Sequence, residues 1–149
     1  MTIQLNHFVA DEFREWWPQM SVRLLVTLDL FRWQWGDIVT PSPVEGGIGR
    51  SDDSESQHNV DQWGEVRAID AFPRKMVTRD DCELAIEIAD NLGFTGIGIY
   101  PETDPSPMIH LDVRVNRYPG DPAKWGALRN QSNGWDYVAM QKALETMDA

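Results

Sequence analysis

The longest periodic pattern in the chain lies near its start, where apolar side chains recur every three or four positions from Phe13 to Trp35. This spacing predicts helical structure over residues 11–35 with one apolar face. Pro18 has no backbone N–H, so it is expected to divide the stretch into a short helix and a longer one. Gly36 is expected to end the longer helix, because glycine readily adopts the left-handed conformation of a helix C-cap.

Residues 42–56 differ sharply in composition from the helical stretch before them. They are rich in Pro, Gly, Ser and Asp and lack periodicity, which predicts a long loop. Loops of this length are uncommon in compact domains and are often functional. A further helix is predicted to begin at Thr78, whose side chain is a suitable cap, and to end at Gly93. A last helix is predicted over residues 135–147.

Three short segments have the composition and alternation of strands. They cover residues 66–72, 94–100 and 108–115. Helices that flank strands joined by loops indicate an α+β domain with a small, mostly antiparallel sheet. The length of 149 residues is that of one domain, so residues 1–149 are predicted to form a single domain.

Composition excludes several classes of partner. The net charge is −11, and 13 Lys and Arg residues are scattered among 24 acids, so no basic surface for nucleic acid is expected. The same charge disfavours binding to anionic lipid, and no apolar stretch is long enough for a membrane span. Cys82 is the only cysteine, which excludes an internal disulfide and a thiolate cluster. Any metal site must therefore use His, Asp or Glu.

Two of the three histidines stand close to carboxylates in or beside predicted strands. His110 and Asp112 are two residues apart, so they project from the same face of an extended strand. Asp70 lies in the strand before them, and His58 follows the long loop. A carboxylate in an apolar strand is costly to bury unless a positive charge compensates it. His7 lies among polar residues and is expected to have no function.

Spacing alone leaves two explanations of this pattern open. A divalent ion would compensate the acids, and zinc takes imidazole and carboxylate ligands while one position stays free for water. Alternatively, His110 and Asp112 lie at a strand surface, and Asp70 pairs with Arg67 or Arg114. A non-haem iron site fits less well, because its second histidine commonly follows the His-x-Asp pair. No histidine follows His110.

The order of the motifs adds a further argument. The first motif reads Ser56-Gln57-His58, then Gly64, then Ala68-Ile69-Asp70. The second reads GIGIYP over residues 96–101 and IHLDVR over residues 109–114, and Phe8, residues 11–13, residues 31–32 and residues 35–36 complete the pattern. This order resembles the zinc D,D-carboxypeptidases and endopeptidases related to the hedgehog signalling domain, in their small peptidoglycan-peptidase branch. The resemblance covers almost the whole chain.

The resemblance implies a ligand set and a substrate. His58, Asp70 and His110 would bind Zn²⁺. Arg50 would hold a substrate carboxylate or polarise a carbonyl, a task that suits the fork of a guanidinium, and Ser56 is the second candidate substrate-binding residue. The implied substrate is the peptide stem or crossbridge of bacterial peptidoglycan. An insertion at residues 61–63 makes the spacing of the first motif longer than the family pattern.

The position at which the family carries its general base is occupied by a different residue in this chain. Many relatives carry a glutamate three residues before the last histidine, where this chain has Pro107. Asp112 is the first candidate for the catalytic base because it shares a strand face with His110. The other role open to Asp112 is to orient the His110 ring. Glu102 and Asp104, on the preceding loop, are reserve candidates for the base.

We therefore expect a zinc-dependent peptidase of peptidoglycan, such as a phage lysin or a virion-associated lysin. The alternative is a non-catalytic wall-binding or virion structural protein that retains the fold, which the proline at position 107 and the longer first motif both favour. Residues 1–13 lack the basic start and apolar run of a signal peptide. The expectation is synthesis in the cytoplasm and action on the wall after release through a holin-type pore or from a virion.

Overall fold

The computed structural model of the protein describes residues 3–148, so Met1 and Thr2, at the start of the segment without signal-peptide character, lie outside the described residues. The helices are α1 (Val22–Trp35), α2 (Val60–Trp63), α3 (Arg79–Leu92) and α4 (Met140–Glu145), with 3-10 segments at Ala10–Gln19 and Thr146–Asp148. The strands are β1 (Val39–Pro41), β2 (Ala68–Pro73), β3 (Gly96–Tyr100), β4 (Met108–Asp112), β5 (Ala123–Arg129) and β6 (Trp135–Val138).

The six strands form one sheet in the order β1-β2-β4-β3-β5-β6. Every neighbouring pair is antiparallel except β3 and β5, which are parallel. Helix α1 precedes β1, α2 lies between β1 and β2, α3 lies between β2 and β3, and α4 follows β6. The predicted α+β class with a small, mostly antiparallel sheet is therefore confirmed.

The predicted helix boundaries follow from local capping. Ser21 accepts a hydrogen bond from the Leu24 N–H at the start of α1, and Gly36 ends α1 in the left-handed conformation with φ of 79°. Pro18 lies inside the segment Ala10–Gln19, which is a 3-10 segment and not the expected short α-helix, and the break before α1 falls at Met20 and Ser21. Arg14, with φ of 55°, kinks that segment.

Within residues 3–148, no helix has the length and apolar character needed to cross a membrane.

The C-terminal region differs from the prediction of one helix over residues 135–147. Trp135–Val138 is the edge strand β6, and the helix covers only Met140–Glu145. Strand β5 was not predicted. Its Gly126 contributes no side chain, so Ala143 of α4 packs against its backbone, with the Ala143 Cβ 2.3 Å from where a Gly126 Cβ would lie. A half-exposed edge strand has too weak a pattern to be told from a helix by periodicity.

The two faces of the sheet have different chemistry. One face carries Ile69, Ile97, Ile109 and Leu111, all fully buried in one cluster with the apolar residues of α1 and α3. Strand side chains alternate between faces, so the intervening positions in β2 and β4 point the other way. Those positions hold Asp70, His110 and Asp112. The helices thus cover the apolar face and leave the polar face for a site.

Gly98 of β3 shapes this polar face. It lies between His110 on β4 and Trp125 on β5 in the strand register, and it has no side chain to separate them. The two rings consequently meet across Gly98 with their centroids 4.9 Å apart. A Cβ on Gly98 would lie only 2.6 Å from the Trp125 ring.

We predict that Gly98→Ala lowers the free energy of unfolding by about 1–3 kcal/mol, because the added methyl group overpacks the contact with Trp125. Urea denaturation followed by circular dichroism measures this change. Gly134→Ala is the control: its Cβ would lie 3.3 Å from the Asn130 side chain, so that a shift of a few tenths of an ångström relieves the contact. The control is expected to stay within about 0.5 kcal/mol of wild type. Equal stabilities for the two variants would contradict the prediction.

Candidate metal site

The pairing of β2 with β4 brings two of the predicted ligands together. Asp70 and His110 are direct partners in the antiparallel register, and their side chains lie on the same face. The His110 Nδ1 lies 3.0 Å from the Asp70 Oδ1. Both residues are at the centre of the sheet, where Asp70 is 9% and His110 6% exposed. Residues 40 positions apart in sequence are thus held side by side by backbone pairing.

The third predicted ligand, His58, comes from the end of the long loop. Its Nδ1 donates a hydrogen bond of 2.6 Å to the carbonyl of Ile48, which fixes the ring and directs Nε2 towards Asp70. Backbone hydrogen bonds join the loop to both ligands: the Arg50 N–H donates to the His58 carbonyl, and the Asp70 N–H donates to the Gly47 carbonyl. The loop is therefore well anchored beside the sheet.

The N-terminal 3-10 segment packs on this loop. The Trp16 ring lies so close to Gly49 that a Cβ there would be 2.1 Å from the ring. Arg14, at the kink of the segment, donates to the carbonyl of Ser42 at 2.8 Å. These contacts hold the loop against the N-terminal segment. They explain why a long loop poor in apolar residues has a defined position.

His58, Asp70 and His110 form a group whose ligand atoms all lie within 4.8 Å of one another. The His58 Nε2 is 3.4 Å and the His110 Nδ1 is 3.0 Å from the Asp70 Oδ1. Ligand atoms around a tetrahedral zinc ion, with bonds of 2.0–2.1 Å, are about 3.3 Å apart. The group can therefore hold a metal ion after a small closure of its widest edge.

The hydrogen bonding of the triad favours a positive charge at its centre. In neutral His58 the Nδ1 carries the proton given to Ile48, and Nε2 presents a lone pair towards the Asp70 carboxylate. This buried Nε2 has no hydrogen-bond partner among the described residues. Two acceptors facing each other in a buried site repel unless a cation lies between them. The residues thus fit a divalent metal ion with imidazole and carboxylate ligands.

The pKa values of Asp70 and His110 also indicate that the site favours positive charge. Burial by itself raises the pKa of Asp70, but attraction to positive charge on the His58 and His110 rings outweighs burial and holds its pKa well below the usual range. Burial alone lowers the pKa of His110, but the carboxylates of Asp112 and Asp70 outweigh it and raise the pKa of His110 to about 9. The carboxylates therefore favour a cation at this position, which a bound metal would supply.

Asp112 lies behind His110 and not in the open site. It is fully buried, and its Oδ2 accepts from the His110 Nε2 at 2.8 Å. The guanidinium of Arg114 donates to both carboxylate oxygens, at 2.9 and 2.6 Å. Burial raises the pKa of Asp112, but these hydrogen bonds outweigh it and hold the pKa below its usual range. The placement favours the orienting role of Asp112 over that of a base.

An open cleft of about 390 Å³ lies directly over the triad. Arg50 and Ser56, the two predicted substrate-binding residues, both line it. The Arg50 Nε donates to the Gly46 carbonyl at 3.0 Å, and the Ser56 Oγ accepts from the His58 N–H at 3.2 Å. Both residues thus lie in the cleft with the triad, and their contact with a substrate stays a prediction.

The cleft also contains residues that the sequence did not single out. The aromatic rings of Tyr100 and Trp125 line it, whereas Trp63 lies outside it and donates its Nε1 hydrogen to the Ser56 carbonyl. The reserve bases lie outside this cleft. Glu102 accepts from the Arg129 N–H, and Asp104 lines an adjoining groove. The unanticipated lining residues are Glu55, Gln57, Arg114 and Tyr137. In the sequence, only their position in or beside the two motifs indicated that Glu55, Gln57 and Arg114 could line the site.

Comparison of the chain with protein-family models, with curated proteins and with solved structures finds no match. The site is therefore interpreted from its own geometry and from the motifs in the sequence.

We predict that the protein binds one Co²⁺ ion per chain in a tetrahedral site. Visible absorption of the Co²⁺ complex measures both the stoichiometry and the geometry. His58→Gln, Asp70→Asn and His110→Gln should each weaken binding by more than about 100-fold, because each removes a ligand. His7→Gln, remote from the triad, serves as the control and should bind like wild type. Unchanged binding by the triad variants would show that the metal site lies elsewhere.

Asp112→Asn tests the orienting role. We expect Co²⁺ affinity to fall by about 10–100-fold with the tetrahedral spectrum retained, as is typical when the partner that orients a metal-binding histidine is lost. The measurement is a competition titration against a chelator of known affinity. An unchanged affinity would indicate that Asp112 does not position His110.

Proposed function

We propose that the protein is a zinc-dependent peptidase that cleaves the peptide stems or crossbridges of bacterial peptidoglycan. The proposal extends to a phage lysin or virion-associated lysin that reaches the wall through a holin-type pore or from a virion. It rests on the resemblance of the motifs to peptidoglycan peptidases and on the metal-binding geometry of the same residues.

The observation that carries the proposal is the arrangement of His58, Asp70 and His110 at the floor of an open cleft. A structural zinc site is closed by four protein ligands, whereas a catalytic site keeps a position free. Here three ligands converge, and about 390 Å³ of open space lies above them. A substrate can therefore approach the metal position directly.

The residues of the cleft suit hydrolysis of a peptide bond. When bound, zinc supplies a Lewis acid that polarises a carbonyl group and makes water more acidic. Arg50, whose Nε is held by the Gly46 carbonyl, can direct its remaining donors to a substrate carboxylate or carbonyl. Ser56 and Trp125 also line the cleft and can contact the peptide.

Hydrolysis also needs a group that accepts the proton of water and passes it to the leaving amine. Asp112 is fully buried, with both carboxylate oxygens engaged by Arg114 and one also by His110. Glu55 is exposed and lines the cleft with the triad. We assign proton transfer to Glu55 and the orientation of His110 to Asp112.

The proposal predicts chelator-sensitive release of peptide fragments from isolated peptidoglycan. Purified protein with added Zn²⁺ is incubated with walls of several crosslink chemistries, with and without a chelator, and mass spectrometry identifies the fragments. The masses name the bond that is cleaved. No release from any wall by Zn²⁺-loaded protein would overturn the peptidase proposal and favour a non-catalytic wall-binding or virion structural protein.

Glu55→Gln should lower kcat by about 10²–10⁴-fold while Co²⁺ binding stays unchanged, because it removes a proton acceptor and no ligand. The initial rate of fragment release measures this effect. Asp53→Asn, an exposed carboxylate on the same loop that does not line the cleft, is the matched control and should retain wild-type activity. If Glu55→Gln kept full activity while Asp112→Asn lost it with Zn²⁺ saturating, Asp112 would be the base after all.

A further inference from the structure

Arg114 lines the same cleft as the metal triad and ends the second motif, but it is not a ligand and the resemblance assigns it no role in substrate binding. It follows β4, two residues after Asp112 and four after His110. Asp112 joins it to the site: the Asp112 Oδ2 accepts from both the His110 Nε2 and the Arg114 Nη2. The guanidinium therefore lies on the Nε2 side of His110, while the metal position lies on the Nδ1 side. A substrate group at Arg114 would be beside the scissile bond and not at it.

The guanidinium of Arg114 is held rigidly on two sides. Its Nε and Nη2 form a fork on Asp112, and its flat face lies over the Trp125 ring, 5.1 Å from the ring centroid. Trp125 is in turn fixed against Gly98. Only part of the side chain, 21% of its surface, is exposed. A long side chain that is already immobilised loses little further entropy when it binds a ligand.

One edge of this guanidinium remains free. Nη1 donates no hydrogen bond to any residue in the range 3–148, whereas Nε and Nη2 are both engaged. Arginine has five N–H donors in a fixed fork, and an immobilised, half-used fork at a cleft is suited to a planar anion. The free donors therefore give this part of the cleft a preference for carboxylate.

The charge balance of the cleft points the same way. Glu55 and Asp70 line it and Asp112 lies behind, while Arg50 and Arg114 contribute positive charge. With a divalent ion bound, these groups carry a net positive charge, in a chain whose overall charge is −11. A local positive region attracts an anionic substrate, whereas the acidic remainder of the protein surface repels it.

We propose that Arg114 binds a carboxylate of the substrate residue next to the scissile bond, so that the enzyme is selective for acidic peptides. This inference rests on the proposed peptidase function and adds the substrate class. Two carboxylates of a peptidoglycan stem have this chemistry: the free carboxyl group of its glutamate residue and the C-terminal carboxylate of the stem. The chemistry at Arg114 is the same for both.

The test compares three synthetic stem peptides with Zn²⁺-loaded protein: one with all carboxyl groups free, one amidated at the glutamate and one amidated at the C-terminus. We expect one of the two amidations to lower kcat/KM by at least about tenfold, because a hydrogen-bonded ion pair is replaced by a neutral contact. Arg114→Gln should reduce that preference to about twofold or less. The amidation that lowers kcat/KM identifies which of the two substrate carboxylates Arg114 binds.

The preference is a ratio of two substrates on the same protein, so a general loss of metal or of stability through Asp112 cancels out. Arg67→Gln is the matched control, because Arg67 also lies 5.1 Å over a tryptophan ring, that of Trp63, near the carboxylate of Glu65, but outside the cleft. It should retain the wild-type preference. Equal cleavage of all three peptides by wild type, or a preference that Arg114→Gln leaves intact, would overturn the inference.

Calorimetric binding of the same peptides to the chelator-treated protein separates this inference from the proposed function. Arg114 is held by protein groups alone, so the free-carboxylate peptide should bind at least about tenfold more tightly than the weaker-binding amidated one without metal. Selective binding that Arg114→Gln abolishes, together with no hydrolysis of any peptide, would support the carboxylate site while refuting the peptidase. Hydrolysis of the peptides with no binding preference between them would support the peptidase and refute the carboxylate site.

Discussion

The antiparallel pairing of β2 with β4 is the constraint on which the site depends. It sets Asp70 directly opposite His110 and Ala68 opposite Asp112, with all four side chains on one face. A shift of one residue in this register would place Asp70 and His110 on opposite faces of the sheet, so that one of them would enter the apolar core, where a polar group is costly to bury. The apolar residues between them, Ile69, Ile109 and Leu111, therefore specify the site as much as its own residues do.

Small residues complete the arrangement on either side of this strand pair. Gly96 lies opposite Asp112, where a Cβ would be 2.2 Å from the carboxylate, and Gly98 lies opposite His110. Side chains at these positions would displace the network from Arg114 through Asp112 to His110. The glycines of β3 thus have a packing role, and they give the polar groups the space in which they form hydrogen bonds.

Much of this was accessible from the sequence, and the limits have physical causes. Alternation placed His110 and Asp112 on one face, and cap residues such as Thr78 gave helix ends. The pairing of β2 with β4 is non-local, so only the order of the motifs suggested that His58 and Asp70 would meet His110. The role of Arg114 depends on side-chain packing against Trp125, which spacing does not report. Strand β6 was not predicted because a half-exposed edge strand shows only weak alternation of apolar and polar residues.

His58 differs from the other two members of the triad in what holds it. Asp70 and His110 belong to the centre of the sheet, which opens only when much of the protein unfolds, whereas His58 is on a loop secured by the Ile48 carbonyl and by Trp16 packed on Gly49. Local opening of a loop requires less free energy than opening of central strands. The lifetime of a metal ion bound here would therefore depend on how often this loop detaches, and the N-terminal segment packed on the loop would slow that detachment.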